Sequence, residues 1–271
     1  THVAGIIAGN GYSSRGKYVG VAPKSNILAI KALDENGGGS SSKIIEAISY
    51  IIDTKDKYNT KIINLSIGTP ANNTCDKDPL CRAVEKAVEA GLIVVVAAGN
   101  SGPERGTILS PGTSRNAITV GAVDDKRTID PSDDTIAPFS SRGPTLEGLT
   151  KPDLLAPGVS INSLSNTKLD GYSALSGTSM ATPLVSGAVA LLLNKYNDLK
   201  PYEVKKRLLK SCIDIKDSKE MQGIGMLNLK LLFEEDTKIN NVPSKSTGFD
   251  GELFEIIIMI LIILFLLDSR I

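Results

Sequence analysis

Four short apolar runs recur along the chain: "ILAIKAL" (27–33), "KIINLSI" (61–67), "LIVVVAA" (92–98) and "AITVGAV" (117–123). None of them alternates cleanly with polar residues, which is the pattern of strands buried on both faces. Between the first two runs, Ile44, Ile45, Ile48, Ile51 and Ile52 fall on one helical stripe, behind a serine cluster able to cap it. Between the next two lies "KDPLCRAVEKAVEAG", with Asp78 placed as N-cap, Pro79 at the first helical position and Gly91 just past the end. Strands alternating with helices predict an α/β fold of three layers, a mostly parallel sheet with helices on both faces. In such sheets ligands gather beyond the carboxyl ends of the strands.

Composition narrows the function classes. With 271 residues, 41% of them hydrophobic, the chain is long enough for one large globular domain. Thirty Lys and Arg balance thirty Asp and Glu, with the signs interspersed, so no basic surface for nucleic acid is expected. Three cysteines form neither a disulfide framework nor a zinc set. They read as inert free thiols, a local Cys75–Cys81 bridge being the alternative. "IIAGNG" (6–11) lacks the third glycine and the ribose-binding acid of a dinucleotide loop, and no cofactor is expected.

The unusual residues sit where strands end. "NLSIG" (64–68) and "VVAAGNSG" (95–102) each pass from an apolar run into small hydrogen-bonding residues, and "LSGTSMATPLVSGAVALLL" (175–193) turns from a small-residue loop into an apolar helix. Ser179, at the mouth of that helix, faces unpaired N–H groups and the positive end of the helix dipole. Gly177 allows close approach of another backbone, and Pro183 is expected within the first turns, where its missing donor costs little. Taken alone, Ser179 would be a capping residue and Asn100 a turn residue; a side-chain amide at position 100 could also face an oxyanion.

In this order and spacing the blocks "THVAGIIAG", "NLSIG", "VVAAGNSG" and "GTSMATPLVSGAVALL", with "FSSRGPT" (139–145) and "KPDLLAPG" (151–158), resemble the subtilisin-like serine proteases, from Thr1 to about Leu232. The resemblance implies a serine endopeptidase with Ser179 as nucleophile and an oxyanion hole made by the Asn100 amide and the Ser179 N–H. Ser66, Ile67 and Gly68 would pair with one side of an extended polypeptide substrate, and Gly37, Gly38 and Gly39 with the other, so that substrate binds as an added strand. Ala97, Ala98 and Gly99 would form a wall of the primary specificity pocket, with Ser110, Pro111 and Gly112 as its floor. Small residues there imply a roomy apolar pocket, and the absence of Asp or Glu argues against strict cleavage after Lys or Arg. The loop 10–23 carries no acidic residue, so no strong calcium site is expected in it, and no metal site is predicted elsewhere.

His2 is the sole histidine of the chain. The family's block reads His-Gly-Thr-His-Val-Ala-Gly, and its first histidine is the general base. "THVAG" matches the second half, so the base is expected two residues before Thr1 and the catalytic aspartate further upstream. Asp124, Asp125 and Asp153 match non-catalytic positions and offer no substitute. A chain without the base would be close to inactive, its serine a weak nucleophile. The rival reading is a non-catalytic, peptide-binding pseudoprotease.

The peptidase-like region is expected over 1–233, a polar linker over 234–252, and an apolar segment over 253–267. That segment has fifteen positions, short of the about 17 that a span needs, yet Ile256 to Leu267 leave no polar face for an amphipathic alternative. A C-terminal membrane anchor is the expectation. Arg270 beyond it, with Glu252 and Glu255 before it, places the protease region outside the cell.

Overall fold

The computed structural model describes residues 1–34, 37–167 and 170–239. In chain order the elements are α1 (His2–Ala8), α2 (Ser41–Tyr58), β1 (Ile62–Leu65), α3 (Pro79–Glu89), β2 (Ile93–Ala97), β3 (Ile118–Asp124), β4 (Thr135–Ile136), β5 (Leu154–Pro157), β6 (Ile161–Leu164) and β7 (Tyr172–Leu175). They are followed by α4 (Thr178–Lys195), α5 (Pro201–Lys210), β8 (Cys212–Ile213), α6 (Lys219–Gln222), β9 (Met226–Leu227) and α7 (Leu229–Ile239). One compact unit spans Thr1–Leu232; a second begins at Phe233, and its described part is the remainder of α7. Among the described residues no helix is long and apolar enough to cross a membrane, and the linker and apolar segment expected over 240–271 lie outside them.

The main sheet runs β1-β2-β3-β5-β9-β8, with β4 attached to β3. Every pairing along β1-β2-β3-β5-β9 is parallel; β8 and β4 are antiparallel additions. All five residues of β2 are buried, as its unbroken apolar run requires. Val94 and Val96 pack with Ile44 and Ile48 of α2 and with Leu80, Val84 and Ala87 of α3. Ile93, Val95 and Ala97 point the opposite way by strand alternation, toward the face on which α4 lies across β1, β2, β3 and β5. Eleven residues of α4 are buried, so this helix is an interior element rather than an amphipathic one.

The two local helix signals hold. Ser40 caps α2, its Oγ accepting from the Lys43 N–H, and Asp78 caps α3, accepting from the N–H groups of Leu80 and Cys81. Gly91 follows α3 with φ of 90°, a conformation that favours glycine.

Two expectations fail. The run 27–33 forms no strand: the sheet path ends at β1, no ladder partner flanks this run, and Ile27 and Leu28 are exposed. An apolar run becomes a strand only where another backbone supplies its hydrogen bonds. Cys75 and Cys81 are joined by a disulfide rather than free, and Cys212 is the one free thiol among the described residues, its pKa pushed up to about 12 by burial. The Asp78–Pro79 start of α3 explains the bridge. A turn in which Asp78 and Lys77 donate to the Thr74 carbonyl folds Cys75 back over the first helical turn, leaving the two Cα atoms 5.2 Å apart. Pro183 lies in the second turn of α4, among the first turns as expected but past the positions whose N–H is free anyway, with consequences for the site.

Asp153 ties β3 to β5 from beneath. It accepts from the Thr119 N–H at 2.7 Å and binds the ammonium groups of Lys151 at 2.7 Å and Lys205 at 3.0 Å. The Lys151 Nζ also donates to Thr119 Oγ1 and to the Ala117 carbonyl. Lys151 is only 2% exposed, and burial pushes its pKa down to about 8 against the raising effect of Asp153, with the Lys205 charge adding to the decrease. The folded chain therefore releases this proton near pH 8, while the unfolded chain holds it to about pH 10.4. Within that window the unfolded state binds more protons, so Lys151 makes stability rise with pH. Urea unfolding of wild type and Lys151→Met checks this: the variant loses about 3 kcal/mol at pH 7, and the gap widens between pH 8 and 10. A gap that stays flat or shrinks over that interval contradicts the assignment.

Candidate active site

The carboxyl ends of β1 and β2 and the N-terminus of α4 meet. Pro183 has no N–H to give to the carbonyl four residues back, which is that of Ser179. That carbonyl accepts instead from Ser66 Oγ at 3.0 Å, and Ser179 Oγ returns a bond to the Ser66 carbonyl at 3.2 Å. The network continues inward: Asn64 Nδ2 donates to Ser66 Oγ at 3.0 Å, and Ser186 Oγ donates to Asn64 Oδ1 at 2.8 Å. Two turns of α4 are thereby keyed to the end of β1, and Ser179, half-buried, has a fixed hydroxyl position.

Asn100 is held from the same helix. Its Oδ1 accepts from the Thr178 N–H at 2.9 Å and from Thr178 Oγ1 at 3.0 Å, while Thr178 Oγ1 itself accepts from the Gly99 N–H at 3.3 Å. With Oδ1 engaged, the Nδ2 end is the free one. In the first turn of α4 the Thr178 N–H goes to Asn100, and those of Met180 and Ala181 go to the Gly177 carbonyl. The Ser179 N–H and Asn100 Nδ2 have no partner among the described residues. Both donors face one spot: a Cβ placed on Gly177 would lie 3.3 Å from Asn100 Nδ2 and 3.7 Å from the Ser179 nitrogen. A side chain there would crowd the Asn100 amide, so the approach between the two donors depends on residue 177 being glycine, whose φ of 155° L-residues rarely adopt.

The predicted walls occupy defined places. Ser66 and Ile67 are half-buried and Gly68 is exposed, continuing from β1; Ala97, Ala98 and Gly99 are buried, continuing from β2. Residues 109–110 bridge the two: Leu109 N–H donates to the Ala98 carbonyl, and Ser110 and Thr69 exchange both backbone bonds at 2.9 Å. Ser110, Pro111 and Gly112 are buried. The side chain that reaches both Gly68 and Gly99 is Leu109, missed in the sequence. A Cβ on Gly68 would come within 2.9 Å of its side chain, and one on Gly99 within 2.5 Å. Leu109, half-buried, lies beside both glycines; the available signal was a large apolar side chain within "ILSPG" (108–112). Gly37, Gly38 and Gly39 are exposed, with Gly38 accepting from the Asp34 N–H and donating to the Asp34 carboxylate; among the described residues no hydrogen bond joins these glycines to Ser66–Gly68. Leu33 and Ile67 nevertheless pack on the same core cluster.

Behind the floor, Glu85 of α3 accepts from Ser114 Oγ at 2.6 Å and from the backbone and side-chain amides of Asn116. Burial pushes its pKa up, but these bonds outweigh it and hold the carboxyl below its ordinary value. Cys75, Cys81 and Glu85 offer donor atoms within 4.8 Å of one another, but both sulfurs are spent in the disulfide and present no thiolate.

His2 is placed elsewhere. Its Nε2 lies 3.1 Å from the Ile161 carbonyl and 3.0 Å from that of Ser173, facing strands of the β6–β7 hairpin. Carbonyls only accept, so Nε2 carries the proton. Nδ1 is buried without a partner, and the His2 carbonyl accepts from Ser163 Oγ. The ring is a clamp between α1 and the hairpin.

A mostly parallel α/β sheet with α4 across one face and its N-terminus at the carboxyl ends of β1 and β2 is the subtilisin architecture. The chain belongs to the subtilase family, whose peptidase S8 model matches residues 1–230. It is 44% identical over 246 residues to serine protease AprX of Bacillus subtilis (strain 168), covering 84% of this chain and 56% of that relative, so it spans little more than half of AprX. Subtilisin DY of Bacillus licheniformis is 38% identical over 234 residues, 85% of this chain and 75% of the relative. Among solved structures, sphericase superposes with a TM-score of 0.74 at 33% identity, covering 84% of this chain and 76% of the other.

Gly177→Ala puts a methyl group into the spot shared by the two donors and forces an L-residue into a glycine conformation. It is expected to cost about 1–3 kcal/mol in urea unfolding; stability unchanged within error would show that the backbone at 177 relaxes freely.

Proposed function

We propose that the chain is the nucleophile-bearing and substrate-binding part of a serine endopeptidase. The observation that carries this reading is the pair of unpaired donors, Asn100 Nδ2 and the Ser179 N–H, both close to Gly177 and beside a fixed serine hydroxyl. A substrate strand lies along Ser66, Ile67 and Gly68, with Gly37, Gly38 and Gly39 on its other side. Its scissile carbonyl points its oxygen into the spot beside Gly177. Ser179 Oγ adds to the carbonyl carbon, and the negative oxygen is stabilised by the two donors and by the N-terminal end of α4. Collapse expels the amine and leaves an acyl-serine, which water hydrolyses.

The serine proton needs a base. Ser179 Oγ donates to the Ser66 carbonyl, which orients the hydroxyl but cannot take its proton, and the one imidazole of the chain is committed to two other carbonyls. The base histidine and its aspartate therefore have to come from outside residues 1–271, and these residues alone are nearly inactive. In a protein extended upstream of Thr1, a fluorophosphonate probe labels Ser179, and labelling vanishes in Ser179→Ala. Asn100→Leu lowers kcat by about a hundred- to a thousandfold, a magnitude taken from subtilisin itself. Labelling that survives Ser179→Ala refutes the nucleophile assignment; no labelling favours the peptide-binding pseudoprotease.

Residues 253–267 carry a second proposal, a C-terminal membrane anchor with the protease region outside the cell. Its support is the unbroken apolar run Ile256 to Leu267 after a polar linker. The protein ending at Ile271 is expected in the membrane fraction and one ending at Glu252 in the soluble fraction. Equal solubility of both overturns the anchor.

A further inference from the structure

We propose that Leu109 is the specificity-determining residue of this cleft, restricting the substrate side chain next to the scissile carbonyl to small residues such as glycine, alanine or serine. This rests on the reading of the site as a peptide cleft and sharpens it.

The two reactive features fix where that side chain goes. Ser179 is bonded to Ser66, two residues before Gly68, and Asn100 directly follows Gly99. A carbonyl held between Ser179 and Asn100 is thus flanked by the ends of β1 and β2, and the side chain beside it enters the gap between Gly68 and Gly99. Neither wall contributes a side chain, which would leave that gap deep. The leucine takes the room back: its side-chain atoms lie within 2.9 Å of a Cβ built on Gly68 and within 2.5 Å of one built on Gly99, so it fills the gap from wall to wall.

Leu109 is not free to swing aside as a loop residue would be. Its N–H donates to the Ala98 carbonyl, and the next residue exchanges both backbone bonds with Thr69, so its backbone is bonded to both walls. Ser110, Pro111 and Gly112, next in the chain, are buried, and Glu85 secures the following residues Ser114 and Asn116. Leu109 is nevertheless half-buried rather than sealed, so part of it stays accessible from solvent. A methyl group can rest on that part; a phenyl ring needs the volume that the leucine occupies. Removing three carbons from the floor opens space for a larger group, and hydrophobic pockets discriminate by about 10- to 200-fold per methylene-sized change.

The test is equilibrium binding, which does not need the base. Fluorescein-labelled hexapeptides identical except for a C-terminal Ala or Phe are titrated by fluorescence polarisation with the 271-residue chain, with Leu109→Ala and with Leu109→Val. The wild type is expected to prefer the Ala peptide by at least about tenfold. Leu109→Ala reverses or abolishes that preference, and Leu109→Val, which keeps a branched side chain at this position, falls between. Equal binding of both peptides by the wild type, or a preference for Ala that survives in both variants, overturns the role of Leu109 while leaving the cleft reading intact. Binding of neither peptide by any of the three chains removes the cleft reading and the inference with it.

Discussion

The carbonyl of Ser179 is the point on which the site depends. A helix buried on nearly all sides can be placed by apolar packing to within a turn, but packing does not set its rotation or its register against the sheet. Pro183 removes the one intrahelical donor that would have satisfied that carbonyl. A buried acceptor without a partner costs about 1–3 kcal/mol, so the helix settles where another donor exists. That donor is Ser66 Oγ, at the end of β1. The same contact lets Ser179 Oγ reach the Ser66 carbonyl, and Ser186, two turns later, reaches Asn64 on the same strand. A proline that weakens the helix locally is thus what keys its mouth to the sheet edge.

What was legible in the sequence had local causes. Ser40 and Asp78 cap their helices with bonds that span two or three residues, and the burial of β2 on both faces is written in an unbroken run of Ile and Val. What was not legible depended on partners far away in sequence. The run 27–33 is as apolar as the strands, but a strand is a pair, and no described strand pairs with it. The disulfide required knowing that the turn before Asp78 brings Cys75 over Cys81. Asp153, for which the sequence offered no role, joins β3 to two lysines through contacts that no spacing rule encodes. Leu109 was overlooked because glycines at 68, 99 and 112 read as empty space, whereas a glycine leaves room that any neighbour can occupy.

The cleft is made stiff by ties that converge on its walls from outside. Thr69 and Ser110 clamp the end of β1 to the floor, and Leu109 clamps the floor to Ala98. Beyond Thr69 the chain runs into the turn closed by Cys75–Cys81, and beyond Gly112 into the loop held by Glu85, so both exits lead to α3. One helix, packed on the far side from α4, therefore braces both strand ends. Such bracing is what a site needs if its donors are to be placed before a substrate arrives, since reorganisation at the moment of reaction would consume the stabilisation that they supply.

This arrangement also separates two halves of the chemistry that are often treated as one unit. Among the described residues, the hydrogen-bond network that positions Ser179 and Asn100 is built from Asn64, Ser66, Gly99, Gly177, Thr178 and Ser186. None of its bonds passes through an imidazole. The side of the site that would receive a carbonyl oxygen is thus assembled without the group that would move the proton. The lone histidine is fixed by two carbonyls of the β6–β7 hairpin and serves to hold α1, which packs on α4. On the proposed reading, a base delivered from outside these residues meets a serine, two donors and a floor that are already in place, so its arrival changes the rate of proton transfer and not the geometry of binding.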